Sequence, residues 1–259
     1  MQLLESNSVL KYIFTPFYLL IILTKYYFII ILTAFSGMFM SSCSTITGNS
    51  DLPALEQGQI IYKISYPYLD SSDIGLSLLP SEMTLIFRGN QYKAESIGGM
   101  GLFAAGFVSN NEEKTMDYFM KIISSKYVSR FTEKGVKRFH VDFPSYRLED
   151  LDSTRSIAGM NCTATKVIFY NNVVSDYIIW HTNQIKLKNS NWCSPFPLIT
   201  GVLMEYQVQQ QGLVLKMTAS SVESDSISLD QFKVPLDFNI VSNKTLTRKM
   251  KEAFMSFDY

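Results

Sequence analysis

Alternation of apolar and polar side chains begins at Gly58 and runs through most of the chain beyond it. A strand with one buried face repeats in this way, every second residue. Ile60, Tyr62, Ile64 and Tyr66 fall on one face, with Gln59, Lys63 and Ser65 on the other. Met83, Leu85 and Phe87 alternate likewise with Glu82, Thr84 and Arg88. Arg88-Gly89-Asn90-Gln91 reads as a hairpin turn, because Gly and Asn tolerate positive φ, and the next strand starts at Tyr92. Met116, Tyr118, Met120 and Ile122 share a face, and Ser125–Phe131 is the partner across a short turn. Further strands are expected over Tyr146–Asp152, Cys162–Tyr170, Val174–Thr182, Leu203–Gln209 and Leu213–Val222. Asn171-Asn172 and Gln210-Gln211-Gly212 supply the tight connections.

About ten strands in sequence-adjacent hairpins argue for an antiparallel meander or half-barrel. Helical spacing shows only near the end, where Met250, Ala253, Phe254 and Phe257 recur at three- and four-residue steps within Thr247–Phe257. The expected fold is one α+β domain, mostly β. It is a strongly curved antiparallel sheet over residues 58–240, partly closed by a helical tail over 241–259.

Two segments of different character precede the alternation. Ser44–Gln57 is polar, carries Gly48 and Pro53, and has no period. With Cys43 it reads as a tether (43–57) that reaches roughly 45 Å at about 3.3 Å per residue. Before it, Lys25 leads into the uncharged run Tyr26–Met40, and Met40-Ser41-Ser42 abuts Cys43. A cation, an apolar core and small residues ahead of a cleavage point make a signal peptide. Met40-Ser41-Ser42-Cys43 resembles the lipobox of bacterial lipoproteins, with Met where Leu is commoner. The resemblance implies that residues 1–42 are a lipoprotein-type signal peptide and that Cys43 becomes an acylated mature N-terminus, of the palmitate-bearing kind. The domain would then sit in the cell envelope, facing the periplasm, anchored to the outer membrane. Tyr12–Met40 also exceeds the roughly 20 apolar residues that span a bilayer, although Pro16 and Lys25 interrupt it. An uncleaved anchor is the second reading of the same stretch.

Charge adds little: 23 Lys+Arg stand against 23 Asp+Glu. No basic cluster carries interleaved aromatics, so the electrostatic footprint of a nucleic-acid binder is missing. The 15 Tyr and 18 Phe favour strands over helices. Beyond Cys43 only Cys162 and Cys193 remain, too few for a disulfide scaffold. If the chain doubles back through Val174–Thr182, the two come within disulfide reach; unpaired, they pack as small apolar residues.

Candidate chemistry is sparse. His140 and His181 have no partners at metal or triad spacing: H-E-x-x-H, C-x-x-C and G-x-S-x-G are all lacking. Glu149, Asp150 and Asp152 cluster, yet without the central Gly and terminal Glu of a calcium loop they read as a solvated face. Gly99-x-Gly101-x-x-Ala104 has the form of a dinucleotide loop without the βαβ context. No cofactor or metal motif and no acid–base or nucleophile constellation is present, so catalysis is not expected. The glycine-rich stretch Gly98–Phe107 has two readings. One is a closely packed strand pair; the other is a mobile flap whose Met100, Leu102, Phe103 and Phe107 touch an apolar ligand. Trp180 and Trp192 lie in apolar stretches where core packing is the ordinary reading, and Trp180 joins the candidate ligand contacts as pocket lining.

Longer elements carry a family resemblance. Ser156–Val167 (SIAGMNCTATKV) is similar to an Ile-Ala-Gly-aromatic-x-Cys element of envelope proteins, with Met160 where an aromatic is usual. Asn191–Tyr206 (NWCSPFPLITGVLMEY) resembles their Pro-centred loop entering a strand, Gly58–Tyr66 their opening, and Phe232–Phe238 (FKVPLDF) their closing segment. Together these elements resemble the GLPGLI-related envelope lipoproteins, a group with no assigned activity. The strand pattern resembles the lipoprotein-carrier fold (LolA/LolB-like), a curved antiparallel sheet around a hydrophobic cavity. The resemblance implies a membrane-anchored lipoprotein that binds a lipid, another apolar ligand or an envelope partner without catalysis. The alternative is a structural or interaction lipoprotein with a filled core, and a cavity of several hundred cubic ångströms separates the two.

Overall fold

The computed structural model describes residues 54–255 other than 71–75, 77, 171–173, 211 and 235. The first half of the domain is a meander: β1 (Gln57–Ser65), β2 (Glu82–Arg88), β3 (Gln91–Gly98), β4 (Phe103–Asn110), β5 (Thr115–Ile122) and β6 (Ser125–Thr132). A short helix, α1 (Glu133–Phe139), leads to a second meander: β7 (Tyr146–Ile157), β8 (Met160–Phe169), β9 (Tyr177–Thr182), β10 (Val202–Gln210) and β11 (Leu213–Glu223). The two-residue β12 (Asn239–Ile240) and the C-terminal helix α2 (Asn243–Met255) finish the chain.

The twelve strands among the described residues join one sheet in the order β12-β6-β5-β4-β3-β2-β1-β11-β10-β9-β8-β7. Every pairing is antiparallel except that of β12 with β6. The two meanders meet in mid-sheet, where Tyr62 of β1 lies opposite Ala219 of β11. β6 and β7 are consecutive in the chain yet lie toward opposite edges. The sheet therefore has a barrel's connectivity left open at one seam, and the chain passes from one edge to the other through α1. This is the curved, mostly antiparallel architecture that the alternation predicts.

Register explains the curvature's apolar lining. One same-face row runs Ile60, Leu85, Ala94, Phe107, Tyr118 and Ser129 across six strands. A one-residue slip anywhere would turn that strand's apolar set outward. Part of the convex face is covered by the stretch that carries Ile227, Phe232 and Phe238. Arg88 Nη1 donates to Ile227 O at 2.7 Å, Ile227 and Phe232 are buried, and the Phe238 ring meets Phe119 edge-on at 5.7 Å.

Four details depart from the sequence expectations, each for a physical reason. Helix α1 has two turns and only Val136 buried, too little for a periodic signal; the Thr132 side chain caps it through Gly135 N. β7 continues past Asp152 to Ile157 through a bulge, and residues 152–156 are exposed on both faces, so no alternation marks them. Helix α2 starts four residues before Thr247 because Ser242 Oγ accepts from Thr245 N at 3.2 Å; it buries Leu246 and Met250. Leu55 already bridges to Ile185, its N–H donating to Gln184 O at 2.8 Å, so the chain joins the fold inside the stretch assigned to the tether. Cys43 and the signal-peptide segment lie outside the described residues, as do the side chains of Phe254 and Phe257.

Candidate apolar binding site

The concave face is closed at one end by residues 183–201, which are held by buried polar groups bonded to one another. Trp192 Nε1 donates to Ser109 Oγ at 2.8 Å and Asn111 Oδ1 at 3.0 Å. Asn111 Nδ2 donates to Lys188 O at 2.9 Å, and Asn191 Nδ2 to Ile199 O and Gly201 O at 2.7 and 2.8 Å. Tyr92 contributes its hydroxyl to Ser190 O at 2.9 Å. His140 Nε2 donates to Cys193 O at 2.9 Å. A buried network satisfied this fully fixes one arrangement of the loop. The loop is a plug.

Above the plug the face is not filled. A cavity of about 540 Å³ lies against β1–β5, β10 and β11. Its walls are rings and aliphatic chains, among them Tyr62, Leu85, Phe103, Phe107, Tyr206 and Met217. Phe107 meets Tyr92 edge-on at 5.5 Å and stacks on Tyr118 at 6.5 Å, and Tyr62 meets Tyr206 edge-on at 6.1 Å. Three phenols spend their polar ends inside the wall: Tyr62 donates to Leu203 O at 2.8 Å, Tyr66 to Pro80 O at 2.8 Å, and Tyr118 accepts from Gln210 Nε2 at 3.2 Å. Tyr206 differs. Its hydroxyl has no hydrogen-bond partner among the described residues and lines the cavity. Burial pushes the Tyr206 and Tyr62 hydroxyls well above the ordinary phenol range, so both stay neutral. The mouth lies away from the plug, where exposed Asp142, Gln209, Gly212 and Lys251 line the rim. Among the described residues Lys251 has no carboxylate partner.

The residues singled out by sequence divide sharply. Phe103 and Phe107 line the cavity, whereas Met100 and Leu102 lie in the β3–β4 turn and face water. Gly98–Phe107 is a hairpin, not a detached flap: β4 pairs with β3 from Phe103 opposite Gly98 to Asn110 opposite Gln91, and with β5 on its other side. Gly106 is needed for that packing, since a Cβ there would stand 2.4 Å from Ala94 O. Trp180 lies outside the cavity, with the Arg155 guanidinium 4.3 Å above its ring.

Cys162 and Cys193 are free and buried, so the candidate disulfide is not formed. Each has its own neighbour: Cys162 Sγ donates to Met160 O at 3.4 Å, and Cys193 Sγ lies 2.9 Å from the Tyr92 hydroxyl. Burial pushes both thiols up to about 11. His181 is a wall residue elsewhere. The Thr165 hydroxyl donates to Asp150 Oδ1 and accepts from His181 Nε2, both at 2.9 Å. The His181 Nδ1 is buried without a well-formed hydrogen bond, although the nearby Thr200 backbone slightly favours the charged ring. Tyr206 was findable, since alternation in Leu203–Gln209 puts it on an apolar face. The plug was not, because its bonds join residues up to 101 positions apart.

A second depression, about 1050 Å³, lies on the outer side of the plug and carries Arg88, Lys114, Lys137, Lys186 and Lys188. Most of that charge is already matched. Glu133 pairs with Lys114 and Lys137, Glu56 with Lys186, and Arg88 serves Ile227 O. The concave cavity is the better candidate.

No family model and no curated protein matches the chain. Among solved structures it is similar to PNGF-II, at 14% identity over 76% of this chain and 32% of that one, with a TM-score of 0.46. It is also similar to a chain of the MucA/MucB complex of Pseudomonas aeruginosa, at 8% identity over 71% of this chain and 58% of that one, with a TM-score of 0.33. MucB alone gives 10% identity, 74% and 61% coverage, and a TM-score of 0.31. The chain thus spans about a third of the PNGF-II chain. No helix among the described residues is long and apolar enough to cross a membrane.

Proposed function

We propose that this protein is a membrane-anchored envelope lipoprotein, held through acylated Cys43, whose concave cavity takes an apolar ligand without transforming it. The cavity carries the reading. Protein interiors are packed to crystal-like density, so an open, ring-lined space of about 540 Å³ departs from what a purely structural lipoprotein with a filled core would keep. Its size falls within the range of small-molecule sites. The wall is apolar, with the Tyr206 hydroxyl as one uncommitted donor and Lys251 at the rim. That pattern suits an acyl chain with a polar or anionic head.

Titration with a fluorescent fatty acid tests the proposal. Wild type should bind, Phe103→Asp should weaken uptake by about tenfold or more while the domain stays folded, and Tyr206→Phe should weaken it about two- to tenfold. If wild type takes up no fatty acid and Phe103→Asp unfolds the domain, the space is ordinary core. For the anchor, intact mass should show residues 1–42 removed and acyl groups on Cys43, and Cys43→Ala should release or stall the protein.

A further inference from the structure

The turns at the mouth end of β1–β6 break the rule that hairpin tips are polar. At the plug end the turns are Gly89-Asn90 and Asn111–Lys114, all small or polar. At the mouth end the β3–β4 turn presents Met100, 100% exposed, and Leu102, 51% exposed. The two-residue β5–β6 turn presents Ile123, 66% exposed. These side chains are contiguous: Ile123 N donates to Leu102 O at 2.6 Å, and a Cβ on Gly99 would touch both Leu102 and Leu78 at 3.7 Å. Exposed Leu78 and Ile97 widen the same patch. The backbone makes the choice of residue stranger. Met100 has φ 52° and Ile123 φ 57°, a left-handed conformation that suits Gly or Asn and is an outlier for a β-branched side chain. Apolar side chains held in water on strained backbone call for a function there.

We propose that these turns dock the domain on a lipid bilayer. Met100, Leu102 and Ile123 would enter the boundary between headgroups and acyl chains, the depth at which interfacial apolar residues lie. The charges nearby suit a phosphate surface. Lys121 Nζ donates to Gly101 O at 2.9 Å, so its ammonium stands at the tip, and neither it nor Lys251 has a carboxylate partner among the described residues. Long lysine stems keep their heads at the headgroup level while the carbons lie in apolar surroundings. Of the nearby carboxylates, Glu82 lies opposite Lys63 in the ladder and Asp237 pairs with Lys126, which leaves Asp142 on the rim against the two lysines. The patch is continuous with the cavity rim, because Leu102 adjoins Phe103 of the cavity wall. The inference rests on where the mouth lies, not on whether the cavity is occupied.

The experiment uses the full chain reconstituted in vesicles of phosphatidylethanolamine and phosphatidylglycerol, with or without bromine on the acyl chains. Met100→Trp places a reporter at the tip, and Glu112→Trp places one at the plug end. Bromine should quench the added Met100→Trp emission by at least about twofold and leave that of Glu112→Trp unchanged, since only one end enters the boundary region. Adding Leu102→Asp and Ile123→Asp should abolish the quenching while uptake of fluorescent fatty acid from solution persists, which separates this inference from the ligand proposal. If Met100→Trp does not fold, Leu102→Trp takes its place. Equal quenching at both ends overturns the proposal, and so does a tip reporter that bromine does not touch, including one buried against a second copy of the chain.

Discussion

The two ends of one sheet are built on opposite rules. At the end where the chain enters, turns are polar, residues 183–201 fill the opening, and buried amides and hydroxyls hold each other in place. At the other end, the β3–β4 and β5–β6 turns are apolar, Met100 and Ile123 hold the left-handed conformation that polar Lys114 and Asn189 take at the plug end, and the concave face stays open. Buried polar bonds are concentrated at the first and exposed apolar side chains at the second, the division expected where a rigid scaffold carries a recognition surface.

The sharpest test of that contrast compares two aromatics. Trp192→Ala removes a buried ring and strips Ser109 and Asn111 of their indole donor, and should cost about 3–5 kcal/mol. Phe103→Ala, at the half-buried cavity wall, should cost less than about half of that by the same measure; equal losses in chemical denaturation would erase the distinction. Matched glycines come next. Gly201 has φ +77° and a Cβ there would stand 2.4 Å from Thr182 O, whereas Gly101 has φ +86° and open space around it. Gly201→Ala should cost about 3 kcal/mol, from strain plus collision, and Gly101→Ala only the strain of about 1–2 kcal/mol. Thermal melts of the pair read the difference.

Acid should act on the plugged end. Burial lowers the pKa of both His140 and His181, so the unfolded chain binds protons that the folded one refuses. Stability is then flat above the ordinary histidine pKa of about 6.5 and falls as pH drops from there toward the lowered folded values. His140→Gln should flatten part of that slope in melts recorded between about pH 7 and 5. The smallest effect has the opposite sign. Ile123→Asn relieves the left-handed strain in a two-residue hairpin and should raise stability by up to about 1 kcal/mol, and a loss instead would mean that Ile123 packs on the domain.

The sheet was legible because its information is local. Ile60, Tyr62 and Ile64 alternate within nine residues, and Gly89-Asn90 marks its own turn, so strands and hairpins could be read directly. Phe103 and Phe107 were legible as candidate contacts by composition, although the same glycines suggested a loose flap where close approach of Gly106 to Ala94 was the real demand. Trp180 and Trp192 could not be told apart: one lies under Arg155, and the other holds the plug through Ser109, 83 positions away. Nothing local encodes that partnership, and the same holds for the cavity, which exists only where the two meanders leave space between them.

The mid-sheet meeting of β1 and β11 also sets a schedule for the newborn chain. The edge of β1 that receives β11 is made first, and its partner is complete only at Glu223. At synthesis rates of about 5–20 residues per second the wait is roughly 8–30 s. For that time a row of unpaired amides and carbonyls flanked by Ile60, Tyr62 and Ile64 is open to any passing strand. Chains that stop before Leu213 never cover it and should aggregate where chains ending just after the β12 and α2 segments do not, which pulse-labelled truncation series would reveal. A fold that closes in its middle leaves its most adhesive edge waiting longest.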